Sequence, residues 1–215
     1  EVAGRLSPYI AGNLLLRHHG GRGVLLNGVP GISAGEVVII GAGVLGKNAA
    51  RAFLGMGAKV FVLSRSMENL RYVDSHFRGE VTTMISHDFN IAYTTRFADV
   101  VICAVRVPGE HPPTLITREM LRTMRKGSVI LDFTIDHGGC METSRPTTFE
   151  NPTYIEEDVV HFCVPNVPGA VPRTSTHAFN NAAWPYIQKV ADMGTASAFA
   201  QDEALSRGID RKSVV

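Results

Sequence analysis

Glu36-Val37-Val38-Ile39-Ile40-Gly41-Ala42-Gly43-Val44-Leu45-Gly46 sets the reading of the chain. Four consecutive β-branched residues, Val37 to Ile40, make a strand of the kind covered on both faces, since a half-exposed strand would alternate apolar with polar. A G-x-G-x-x-G turn follows at once, and Leu45, Ala49 and Phe53 then recur on one helical face. In this setting Gly41 permits a tight turn, Gly43 lets backbone approach a pyrophosphate, and Gly46 lets helix pack close to strand. The helix N-terminus adds free N–H groups and a partial positive charge. The motif predicts dinucleotide binding. Enzymes of S-adenosylmethionine, which also place glycine loops after a first strand, are the competing reading.

The same rhythm continues outward. Strands are expected at residues 59–63, 81–85, 99–104 and 128–132, with helices at 67–76, 88–96 and 117–124 between them and a sixth strand at 159–164. Runs of Val and Ile alternating with helices give an α/β fold, a Rossmann-type doubly wound parallel sheet. Upstream, Val2, Leu6, Ile10, Leu14 and Leu15 mark an N-terminal helix over 1–17, then a short extended piece at 24–26 and a turn-rich connector. Downstream, C-terminal helices are read at 174–191 and 196–206. The expected organisation is an N-terminal helix and connector (1–35), a dinucleotide-binding domain (36–192) and a C-terminal helix and tail (193–215).

The 215 residues carry a net charge of +1 with 45% hydrophobic content. That balance argues against a nucleic-acid partner, which draws on an excess of Lys and Arg. No apolar run approaches the ~20 residues of a membrane span, and no signal peptide is visible. Cys103, Cys140 and Cys163 lie at long spacings without a zinc pattern, so no metal is expected and a reducing, cytoplasmic setting is. The first residue is Glu1 and the opening already reads as helix interior, so a longer protein is expected.

Two positions carry further chemistry. An Asp or Glu at the end of the second strand ordinarily accepts from the ribose 2′-hydroxyl of NAD. Ser64 stands there, followed by Arg65 and Ser66. A guanidinium can bind a 2′-phosphate in bidentate fashion, which opens the cofactor to NADP; the alternative is that Arg65 is solvated and Ser66 caps the helix at Met67, with Glu68 in its first turn. Asp136, in Ile135-Asp136-His137-Gly138-Gly139, follows the fifth strand, where groups face the ligand crevice of an open sheet. Its alternative role is to satisfy loop N–H groups, and His137 reads as an ordinary loop histidine.

Several stretches together resemble the alanine dehydrogenase family: residues 1–5, 20–26, 28–31, 135–139 and 145–148, and above all Pro165-Asn166-Val167-Pro168-Gly169-Ala170-Val171-Pro172-Arg173-Thr174-Ser175-Thr176. Nicotinamide nucleotide transhydrogenases share a weaker version. The resemblance implies the nucleotide-binding lobe of an NAD-dependent oxidoreductase that deaminates L-alanine to pyruvate. The catalytic lobe, made by the family's N-terminal third with its C-terminal end, would be absent, so this chain alone would be inactive. It implies cofactor contacts at Gly43, Val44, Leu45, Ser64, Ser86, Val105, Arg106, Ile135, Asp136, Asn166 and Val167, with Asp136 as the catalytic group beside the nicotinamide and substrate nitrogen. It further implies a homo-oligomer, to which the apolar face of the first helix could contribute by pairing with its copy. The sequence departs from the family at Ser64 (usually Asp), Arg106 (aliphatic), His137 (Gln) and Val167 (Met). A free-standing dinucleotide-binding or regulatory module without catalysis is the alternative function.

Overall fold

The structure is a computed structural model that describes residues 1–106 and 111–209. Its sheet has seven strands: β1 (Glu36–Ile40), β2 (Lys59–Ser64), β3 (Val81–Ile85), β4 (Val100–Cys103), β5 (Val129–Asp132), β6 (Thr153–Glu156) and β7 (Val159–Phe162). They lie in the order β3-β2-β1-β4-β5-β7-β6, all parallel except β6, which runs antiparallel to β7. The order grows from β1 to β3 in one direction and resumes with β4 on β1's other side. That reversal leaves a crevice past the carboxyl ends of β1 and β4, where open α/β sheets hold their ligands.

Alternate residues of one strand feed opposite cores, as the pleat requires. Val37 and Ile39 join Val60, Val62 and Ile102 on the face covered by α1 (Val2–Leu14) and α2 (Val44–Gly55), whereas Val38 and Ile40 join Val101 and Ile130 on the other. The second face also receives Ile91 of α4 (Asp88–Phe97) and Leu121 of α5 (Arg118–Thr123). Between β2 and β3 lies α3 (Met67–His76).

The apolar face of α1 is covered within the chain by α2. Gly4 makes the approach: a Cβ there would lie 2.4 Å from the Leu45 carbonyl oxygen. Pro8 cannot donate to the Gly4 carbonyl one turn back, and the Ser7 hydroxyl donates to it instead at 2.7 Å.

The sequence differs from the structure in a few places. The first helix ends at Leu14, and a 3-10 turn at Arg17–His19 closes on Gly20, whose φ is +87°. Residues 24–26 pair with no strand among the described residues. The edge strand β6 is unanticipated, and β7 stops at Phe162. The last expected helix is two, α7 (Thr195–Gln201) and α8 (Glu203–Arg207), because the Asp202 side chain accepts from the Ala204 and Leu205 N–H groups and starts a new helix.

Contacts divide the chain into two compact units, Glu1–Pro168 and a second beginning at Gly169. The second holds α6 (Pro172–Met193), α7 and α8, with Lys189 ion-paired to Asp202 at 2.8 Å. No described helix is long and apolar enough to cross a membrane.

Candidate functional site

The 41–46 turn is shaped by steric limits that differ at each glycine. Gly41 has φ +112°, donates its N–H to the Leu63 carbonyl at 2.8 Å, and passes so near β4 that a Cβ would lie 2.4 Å from the Ala104 carbonyl oxygen. A Cβ on Gly46 would lie 1.8 Å from the Gly41 carbonyl oxygen, so this glycine is a packing requirement. Gly43 is the opposite case, with nothing within 4 Å of a Cβ. As the N-cap of α2 it supplies no side chain to the first-turn N–H groups. By contrast, α3, α4 and α5 are capped by Ser66, His87 and Thr117. The open end of α2 therefore presents unsatisfied donors at the crevice.

A cleft of about 850 Å³ runs over this turn. Gly41, Gly43, Val44, Leu45, Ser64, Arg65, Ser86, Val105 and Arg106 all line it; Gly46 lies beneath, as the turn's packing partner. Ser64 is buried and its Oγ accepts from the Ser66 N–H at 3.1 Å, while the Ser86 N–H donates to the Ser64 carbonyl at 3.0 Å. Ser66 does cap α3, accepting from the Asn69 N–H, with Glu68 in the first turn. Arg65 is exposed on the cleft wall and makes no ion pair among the described residues.

A smaller cleft of about 280 Å³ gathers Ile135, Asp136, Asn166 and Val167. Leu45 and Phe133 line both clefts, so the two adjoin. Asp136 is exposed in a 3-10 turn, Ile135–His137, that ends on Gly138 at φ +107°. Its position is set from below by Asp132, which is buried at the end of β5. Asp132 Oδ1 accepts from the Thr134 N–H (2.9 Å) and hydroxyl (2.5 Å), and Oδ2 accepts from the Cys140 N–H (3.1 Å) and the Ser144 hydroxyl (2.6 Å). The His137 carbonyl accepts from His111 Nδ1 at 2.7 Å. Asn166 adopts φ +50°, a left-handed conformation that Asn tolerates better than most residues.

Sequence reasoning did not single out Glu1, Asn69, His87, Asp88 or Phe133 as cleft residues. Phe133 immediately follows β5 and His87 lies two residues past β3, and the rule that strand ends face the crevice would have found them. Cys103, Asp132 and Cys140 bring potential ligand atoms within 4.8 Å of one another. The carboxylate is spent on four hydrogen bonds, and a hydrogen bond with Cys140, then burial, pushes the Cys103 thiol well up. This cluster packs the end of β4 against the loop after β5, with the Cys103 thiol held protonated.

A glycine turn on the first strand of a doubly wound sheet, an uncapped helix end and two adjoining clefts at the switch point define a domain of the Rossmann class. The family described as "Alanine dehydrogenase/PNT, C-terminal domain" matches residues 7–213. The chain is 48% identical over 209 residues to the alanine dehydrogenase of Mycolicibacterium smegmatis, covering 97% of this chain and 56% of that protein. It is 46% identical over 211 residues to the alanine dehydrogenase of Bacillus subtilis, covering 98% and 56%. A solved L-alanine dehydrogenase superposes with a TM-score of 0.93 at 45% identity, covering 96% of this chain and 57% of that one. A transhydrogenase from Sinorhizobium meliloti shares the fold, with a TM-score of 0.62 at 23% identity over 77% of this chain and 46% of that one. The chain belongs to the alanine dehydrogenase/PNT C-terminal domain family. It spans little more than half the length of the relatives it matches.

Proposed function

We propose that this chain is the nucleotide-binding lobe of an alanine dehydrogenase, holding NAD across the two clefts while a second lobe supplies the rest of the substrate site. The observation that carries the reading is the junction at Leu45 and Phe133, which joins the cleft over the glycine turn to the cleft holding Asp136. The residues fit the cofactor: Gly43 leaves open the space a Cβ would fill, and the first-turn N–H groups of α2 suit a pyrophosphate.

The reaction is L-alanine + NAD+ + water to pyruvate + ammonium + NADH + H+. NAD supplies a hydride acceptor when bound. The chain's part is to fix the orientation of the dinucleotide between its clefts, which removes much of the entropy cost of bringing the reactants together. Asp136 presents carboxylate oxygens at the smaller cleft, where they hold the substrate ammonium and accept its proton. Substrate carboxylate recognition belongs to the other lobe. Small amino acids are therefore bound only when that lobe is present, and the whole protein works as a homo-oligomer in the cytoplasm, a setting that suits three buried free cysteines.

Titration of the protein with NADH, followed by nicotinamide fluorescence, tests this reading. Saturable binding at one site per chain is expected, with no alanine-dependent NADH formation until a catalytic lobe is added. Failure to bind NADH would remove the proposal.

A further inference from the structure

We propose that the ribose end of the larger cleft receives a 2′-phosphate, so that this protein takes NADP at least as readily as NAD. The inference rests on the dinucleotide reading above and adds which dinucleotide fits. Ser64 is the last residue of β2, next to the Leu63 carbonyl that anchors Gly41, and so occupies the place from which a carboxylate would accept the 2′-hydroxyl and repel a phosphate. The structure puts no acid there. Both carboxylates on the cleft, Glu1 and Asp88, stand elsewhere, before α1 and in the first turn of α4.

What the β2–α3 turn offers is donors. Ser64 Oγ already accepts from the Ser66 N–H, and Ser66 Oγ from the Asn69 N–H, while neither hydroxyl hydrogen has an acceptor among the described residues. Both O–H groups remain to donate to an anionic oxygen. The Arg65 guanidinium between them is exposed on the cleft and unpaired among the described residues, and its planar fork matches a phosphate. Glu68 in the first turn of α3 is the nearest acid in sequence and does not line the cleft. Lys47, held on Asn69 at 2.9 Å, adds positive charge one hydrogen bond away from the cleft. A loop with two free hydroxyls, a free guanidinium and no carboxylate favours the charged ligand over the neutral ribose.

Parallel titrations of the protein with NADH and NADPH, repeated on Arg65→Ala and Ser64→Asp, test this. The wild-type protein is expected to bind NADPH with a Kd equal to or below that for NADH. Each substitution is expected to shift the ratio of the two constants about 10- to 100-fold toward NADH, the range for losing charge-assisted hydrogen bonds or adding a repelling charge. NADH binding with NADPH more than about tenfold weaker overturns the inference and leaves the dinucleotide reading intact. An unchanged ratio in Arg65→Ala does the same. Binding of neither nucleotide removes both.

Discussion

Asp132 Oδ2 and Ser144 Oγ, twelve positions apart in sequence, lie 2.6 Å from each other and close a loop that carries Asp136 on its first turn. Asp132 stands at the end of a buried strand and accepts four hydrogen bonds from that loop, so the strand's register determines where Asp136 sits. Asp132→Asn would place an amide N–H₂ against at least one donor. A loss of about 1–3 kcal/mol in urea unfolding is expected, with weaker NADH binding. Asp136→Asn, at an exposed position, is expected to leave unfolding within about 0.5 kcal/mol. Equal stability of the wild type and Asp132→Asn would refute the clamp.

The two glycines on either side of the helix start separate folding from binding. Gly46→Ala drives a methyl group into the Gly41 carbonyl and is expected to cost about 1–3 kcal/mol. Gly43→Ala meets no protein atom and keeps an ordinary extended backbone, with φ −76° and ψ −165°. Its expected effect is unchanged thermal unfolding with NADH binding reduced at least about tenfold, because the methyl group occupies the phosphate's place. Unaltered affinity in Gly43→Ala would show that the turn does not hold the ligand.

His161 gives the protein an acid-side weakness. It is buried on β7, stacked on Tyr154 at 4.8 Å, with Nδ1 donating to the Val159 carbonyl and Nε2 accepting from the Thr143 hydroxyl. Burial pushes its pKa down, outweighing the opposing pull of the Val159 carbonyl, Glu156 and Asp132, and Arg145 adds to the fall. The unfolded chain takes up this proton near the ordinary value of about 6.5, the folded chain only at lower pH. Stability from this group is therefore complete above about pH 6.5 and declines as pH falls toward the folded value. In His161→Phe the difference in urea midpoint between pH 7 and pH 5 is expected to shrink; an undiminished difference would assign the acid weakness to other groups.

At the amino ends of the central strands β1 and β4, Asp99 accepts from the Glu36 N–H at 2.9 Å and pairs with Arg22 at 3.2 Å and Arg125 at 3.4 Å. Asp99→Ala leaves the Glu36 N–H and the Arg22 guanidinium without this partner beside a nearly buried position, while Arg125 keeps Glu36 Oε2 at 3.1 Å. A stability loss of about 3 kcal/mol is expected, with NADH affinity preserved in the folded fraction. Loss of affinity in that fraction would tie this end of the sheet to the site.

What was legible in the sequence follows from how each element is stabilised. β1, β2, β3 and α3 are encoded locally, by strands rich in β-branched and other apolar residues and by the Ser66 cap, and their limits read within a residue. β6 is not: Thr153-Tyr154-Ile155-Glu156 is a half-buried edge whose conformation comes from pairing with β7. Residues 24–26 look like a strand and lack a strand to pair with among the described residues. The glycine turn and Asp136 are marked in the sequence by their position after a strand, and the structure places them on the two clefts, whereas Asp132 reads as one more strand residue. Its function as a clamp exists only once Cys140 and Ser144 return to it.

A crystal structure of the protein with NADH would test the central claim most directly. The diphosphate is expected over the 41–46 turn at the open end of α2, with the nicotinamide ring in the smaller cleft beside Asp136. A dinucleotide bound away from this turn, or one whose nicotinamide points toward Arg65, would contradict the account.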